Sequence, residues 1–342
     1  MHQKSLSHLE LWLWDPQTKI ASKGLLSSYT PAGFKLLPDN SGFSFIDNGR
    51  IKLKKYDKRA PQSIDIYEPV YNINLIEWID ADSFYLSAKK NDLFHMFQMN
   101  SCGSIELMLQ DPLGDCMYPQ KVGQYLFYVE RIKKGGYKRG CYLSYKVVQI
   151  DYPDIHKNIS HEILPQTISK DQKQEIIHFK GCPIAFLQMI SENEGFFLEH
   201  PAEVDRHDRT IPFSYYQIKK VDLQWECKEL FQFDIPSYLF LNTSDFRLYE
   251  SILPMLPKYY NNQLYFIDCP SEQDLTLDIF CYDFQTDDVE QKTFGKSGQL
   301  SFSPIFVDNE IFFGGIVDPN DMSSQIMWMN EDGDVCIDLP KM

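Results

Sequence analysis

A recurring unit constrains this chain most: an apolar strand, a polar turn, an alternating strand, then another turn and a shorter strand. The first clear copy reads Phe34-Lys35-Leu36-Leu37, the turn Pro38-Asp39-Asn40-Ser41-Gly42, then Phe43-Ser44-Phe45-Ile46. The turn Asp47-Asn48-Gly49 leads into a strand from Arg50 to Tyr56. Proline fixes φ, and glycine and asparagine accept positive φ, so these are turns with a mechanism. Second strands are expected to begin near residues 43, 83, 124, 184, 263 and 310. Four-stranded units repeating at roughly 40–50 residues are the signature of propeller blades. The two longest intervals, before 184 and before 263, are where insertions or a degenerate extra blade would sit. Each blade hides its faces against its neighbours, and the 14% aromatic content supplies the side chains for that burial.

The expectation is therefore a single all-β domain over residues 1–342: a β-propeller of four-stranded antiparallel blades, six in number, with seven possible. A ring needs a closing device. The N-terminal hairpin, Leu9-Glu10-Leu11-Trp12-Leu13-Trp14 with its turn at Asp15–Thr18, is the candidate. The best short helix is Asp245–Leu253, where Phe246, Tyr249 and Leu253 share a face.

Several function classes drop out. No run of 18 apolar residues suggests a membrane span. Glu10 interrupts any signal-peptide core, so a cytoplasmic protein is expected. The eight cysteines contain no Cys-x-x-Cys and read as reduced thiols. Gly-x-Ser-x-Gly, the P-loop and Gly-x-Gly-x-x-Gly are absent. His161-Glu162-Ile163-Leu164-Pro165 starts like a zinc-protease helix but sets proline where the second histidine must stand. No cofactor and no metal are expected. The net charge of −15 disfavours nucleic acid. That charge is polarised: residues 1–150 carry +4 and residues 151–342 carry −19, enough to orient a charged partner.

The first copy, with Pro38-Asp39, Gly42-Phe43-Ser44-Phe45-Ile46 and Gly49-Arg50-Ile51, resembles the TolB-type propeller repeat. The last copy does too: Ser303-Pro304 precedes the strand at Ile311, and Met329-Asn330-Glu331-Asp332-Gly333 resembles that family's acidic hairpin. The resemblance covers these two units well and the middle of the chain poorly. It implies a propeller that serves as a binding platform, with relatives that cap peptidases or cleave sugars. Fold alone does not assign function.

Five of the eight histidines fall between residues 156 and 207. The densest polar patch is Glu199–Arg209. There His200, Asp205 and His207 could hold a divalent cation, and Arg206 or Arg209 could clamp a carboxylate, because imidazole and carboxylate bind cations and guanidinium matches carboxylate. A solvated charged loop would look the same. Two basic runs, Lys52–Arg59 and Lys133–Arg139, read as edge protection and a hairpin tip. The functional expectation is a non-catalytic module binding a protein or peptide partner, with oligomeric state open. The alternatives are a carbohydrate- or peptide-processing enzyme and a small-ligand sensor, both using His200, Asp205, His207 and Arg209.

Overall fold

The computed structural model describes residues 10–15, 20–26, 32–39, 41–47, 50–55, 62–65, 73, 76–91, 93–111, 114–133, 142–151, 166–180, 184–199, 208–237, 257–271, 273, 276–295, 300–307, 310–316, 324–329 and 335–336. In chain order, β1 (Glu10–Asp15) and β2 (Ile20–Leu26) pair antiparallel as a two-stranded sheet. β3 (Ala32–Leu36), β4 (Gly42–Asp47), β5 (Arg50–Lys55) and β6 (Gln62–Ile64) form one sheet. β7 (Ile76–Trp78), β8 (Ser83–Lys90), β9 (Leu93–Asn100) and β10 (Ile105–Gln110) form the next. β11 (Gly114–Val122), β12 (Tyr125–Lys133) and β13 (Tyr142–Asp151) begin a third. The chain then returns to lay β14 (Gln166–Thr167) parallel to β10 before β15 (Gln174–Lys180) completes that third sheet. A sheet of β16 (Ile184–Ser191), β17 (Glu194–Glu199), β18 (Thr210–Val221) and β19 (Gln224–Pro236) follows. Next come β20 (Lys258–Tyr260), β21 (Gln263–Asp268), β22 (Asp278–Asp283) and β23 (Asp288–Gln291). The last sheet is β24 (Leu300–Val307), β25 (Glu310–Ile316), β26 (Ser324–Met329) and β27 (Val335–Cys336).

The strands match the expected periodicity, with two corrections. Four-stranded antiparallel blades number five among the described residues, not six or seven. The β7–β10 sheet departs from that form because β14 adds a fifth, parallel strand, and among the described strands β1 and β2 pair only with each other. The second correction concerns the strand at Ile184. It is the first of its sheet, and the second begins at Glu194. Residues 166–180 contain two short strands that serve the preceding sheets. The helix expected over Asp245–Leu253 lies outside the described residues.

The chain divides into two compact units, one of residues 31–203 and 213–232, the other of residues 1–30, 204–212 and 233–342. In the first unit the β7–β10 sheet is buried on both faces. Along β8, Phe84, Leu86 and Ala88 pack with Ile51, Ile76, Phe97 and Met99. Tyr85, on the opposite face, packs with Met96, Leu126, Tyr128 and Val148. Two buried faces explain the near-continuous apolar runs that replace simple alternation.

Polar side chains tie successive sheets of this unit together, ending on a hydroxyl or on backbone. The Trp78 indole N–H donates to Ser44 Oγ at 2.8 Å, from the β7–β10 sheet to the β3–β6 sheet. Ser87 Oγ–H donates to the Cys116 carbonyl at 2.8 Å. Gln120 completes the series with both ends of its amide. Its Nε2–H donates to the Leu187 carbonyl at 2.8 Å, and its Oε1 accepts the Met189 N–H at 2.6 Å. Such bonds keep buried polar groups satisfied where two apolar faces meet.

His95 gives this packing a pH dependence. It is buried on β9, and its Nε2 hydrogen-bonds the Lys90 carbonyl at 3.0 Å. Burial holds its pKa below the ordinary 6.5, against the pull of that carbonyl and of Asp115. The folded protein therefore resists a proton that the unfolded chain accepts. The His95 contribution is fully present above pH 6.5 and is lost as pH falls from there towards the depressed folded value, at no more than about 1.4 kcal/mol per pH unit. H95Q is expected to flatten the stability profile below pH 6.5, as measured by urea denaturation across that window.

Candidate functional site

In the second unit, a buried carboxylate organises an exposed aromatic side chain. Asp278 opens β22 and is 1% exposed. Its Oδ1 accepts the Thr293 hydroxyl at 2.9 Å and the Gly295 backbone N–H at 2.8 Å. Its Oδ2 accepts the Gln291 Nε2–H at 3.2 Å, and the same Nε2 donates to the Thr293 carbonyl at 2.9 Å. Thr293 Oγ1 in turn accepts the Ile279 N–H at 2.9 Å, and the Lys292 N–H bonds the Ile279 carbonyl at 2.7 Å. Burial raises the Asp278 pKa above the ordinary range, opposed by the Gly295, Thr293 and Gln291 hydrogen bonds that favour the ion.

Phe294 stands between two of these pinned residues. Thr293 is buried, Gly295 is fixed through its N–H, and Phe294 is 79% exposed. An aromatic ring in water is costly to maintain and normally turns inward. Here the chain on both sides is bonded to Asp278, so the ring is presented on a backbone with little freedom left to lose. Val289, on β23, is exposed at 49%. Around it on and beside that strand are the exposed side chains of Asp287, Asp288 and Glu290, with Lys292 paired to Glu290 at 2.5 Å. On β23 an exposed apolar side chain thus stands among carboxylates.

The first unit holds a denser set of ionisable groups. Lys173 Nζ bonds Asp111, and lies 2.7 Å from Glu130 Oε1. The three side chains are 10%, 0% and 3% exposed respectively. Tyr128 OH donates to Asp111 Oδ2 at 3.2 Å. Burial and a hydrogen bond with Asp111 push the Glu130 carboxyl up, and Lys173 opposes that rise. The Lys173 pKa is raised: burial works against the ammonium, and its bonds to Asp111 and Glu130 prevail. Burial also pushes the adjacent Cys116 thiol far up, which keeps it protonated and a poor nucleophile. Beside this set, Arg131 reaches Asp115 Oδ2 through Nε at 2.9 Å and Nη2 at 2.7 Å, while Asp115 Oδ1 accepts the Phe94 N–H at 2.9 Å. These bonds fasten the end of β10, the start of β11, β12 and the segment before β15. They read as structure, with each charge answered by a neighbour.

Of the residues singled out in the sequence, His200, Asp205 and His207 lie outside the described residues, as does Arg206. Arg209 is exposed just before β18, and its carbonyl accepts the Ser237 N–H at 2.8 Å. The bonds at Asp278 that hold Phe294 were not anticipated. No local pattern marks them, since the partners are 13 to 17 residues apart in the chain.

No protein-family model matches the chain, and no curated protein sequence matches it. Solved structures do. A puromycin-hydrolysing peptidase of Mycobacterium tuberculosis shares 10% identity with a TM-score of 0.59, over 92% of this chain and 46% of the peptidase. A hypothetical selenium-binding protein from Sulfolobus tokodaii shares 10% identity with a TM-score of 0.56, over 95% of this chain and 84% of that one. The fold is a β-propeller of four-stranded antiparallel blades. TolB from Acinetobacter baumannii is also among the similar structures, at 12% identity and a TM-score of 0.41, over 90% of this chain and 67% of TolB. At these identities the likeness concerns the propeller fold alone. The chain spans less than half the length of the peptidase, and the rest of that protein has no counterpart in this propeller.

Proposed function

We propose that this propeller is a binding module that docks a protein or peptide partner, with Phe294 as the anchor. The observation that carries this reading is the hydrogen-bonded set at Asp278, which holds Thr293 and Gly295 while Phe294 stays 79% exposed. Binding surfaces concentrate their energy in a few aromatic anchors, and a side chain held in place beforehand loses little entropy on docking. The carboxylates on β23, within a C-terminal stretch of net charge −19, favour a partner that combines a basic segment with an apolar pocket or groove for the ring.

A peptide library panned on the protein and then titrated against F294A tests this. Selected ligands are expected to carry lysine or arginine, and to lose about 30-fold or more in affinity to F294A, the effect of removing a central anchor. The variant is expected to keep its stability within about 0.5 kcal/mol, because the ring is exposed. Ligands that bind wild type and F294A equally would remove Phe294 as the anchor. The resemblance to a peptidase leaves an enzymatic reading open, and it would gain ground if activity on peptide substrates survived purification and was lost on substitution of His207.

A further inference from the structure

The β16–β19 sheet ends on an exposed strand with a self-complementary charge pattern. β18 and β19 are the longest strands described, of 12 and 13 residues, and they meet at a two-residue turn, Asp222–Leu223. Both turn residues have positive φ, 47° and 68°, as the hairpin turn that matches strand twist requires. Leu223 tolerates that conformation poorly and is 86% exposed at the tip. Among the described strands β19 pairs only with β18. On the stretch leading from the turn, Gln224, Glu226, Cys227, Lys228 and Glu229 are all exposed. An open strand edge is a template for another strand, and proteins commonly block it with charge. Here the charges alternate in sign about Cys227, so a second copy of the same strand meets opposite charges.

We propose that β19 pairs antiparallel with β19 of a second copy of this chain, about a two-fold axis at Cys227. That register sets Glu226 opposite Lys228 of the second copy, and Lys228 opposite Glu226 of the second copy, while Cys227 faces its own equivalent. An isologous contact of this kind makes each favourable pair twice. An axis at either neighbouring residue, Glu226 or Lys228, does worse, because it puts like charges face to face. The pairing does not depend on Phe294.

Directly opposed residues of antiparallel strands have Cα atoms about 4.5–5.5 Å apart, inside the span that a disulfide bridges. Cys227 therefore reports the register. Sedimentation velocity is expected to show a concentration-dependent monomer–dimer equilibrium. Oxidation with copper–phenanthroline, which takes up the two thiol electrons, should give a covalent dimer that C227S lacks and C102S keeps. K228E turns two opposite-charge pairs into two like-charge pairs and should weaken the dimer about tenfold or more. E226K/K228E restores opposite charges across the axis and should restore the dimer. Circular dichroism checks that each variant is folded. A monomer at every concentration, a dimer indifferent to K228E, or a covalent dimer that survives C227S would overturn the proposal.

Discussion

Replacing Lys173 with methionine is expected to cost about 3–5 kcal/mol of stability, the loss found when one partner of a buried ion pair is removed. The reason is the company Lys173 keeps. Asp111 is 0% exposed and Glu130 3% exposed, so neither can turn to water when the ammonium goes. D111N/E130Q/K173M removes the stranded charges while keeping a carbonyl oxygen for the Tyr128 hydroxyl, and should recover most of the loss. The cost of K173M should also shrink on acidification, because a carboxyl that takes up a proton no longer needs the ammonium, and Glu130 does so early. In the wild type the raised Lys173 pKa gives the complementary effect: its contribution is fully present below the ordinary 10.5 and lost as pH rises through the higher folded value. Urea denaturation of the single and triple variants measures these differences. A K173M loss below about 1 kcal/mol would mean that the cluster is solvated and its charges do not need one another.

The second large effect is expected at Asp278. D278A strands the Thr293 hydroxyl, the Gly295 N–H and the Gln291 amide, and should cost about 2–4 kcal/mol, since several bonds to one buried charge are lost together. Stability is only half of the prediction. Hydrogen exchange at the Gly295 amide should speed up in D278A more than exchange along β21, where the strand ladder is intact. D278A should also weaken partner binding although no atom of the Phe294 ring has changed, because the ring would lose its fixed backbone. F294A is the mirror case, with stability retained and binding lost. Equal exchange at Gly295 in wild type and D278A would show that the loop is held by something other than this carboxylate.

The sequence disclosed the fold to the extent that its strands obey local rules. The turn Pro38-Asp39 and the strand from Arg50 read correctly because turn chemistry and strand alternation lie within a few residues of each other. Reading failed where the chain leaves that pattern. Gln166–Thr167 is too short to signal a strand, and its pairing with Leu109 and Gln110 is a non-local event that no window of sequence contains. That return segment displaced the assignment of the next sheet and altered the form of the β7–β10 sheet. The candidate site was less legible still. Asp268, Asp278 and Asp283 look alike along the chain, all at strand ends. Only the three-dimensional contact with Thr293 and Gly295 separates Asp278 from the others. A histidine-rich loop attracts attention through composition, whereas one exposed phenylalanine has no compositional signature.

The most direct test of the binding account is quantitative affinity capture from lysate of the native source, with wild type and F294A side by side at low and high salt. The account predicts a stoichiometric partner retained by wild type, depleted from F294A, and weakened by salt as its basic segment is screened from the carboxylates. The same set of proteins on both baits, or no partner on either, would contradict it.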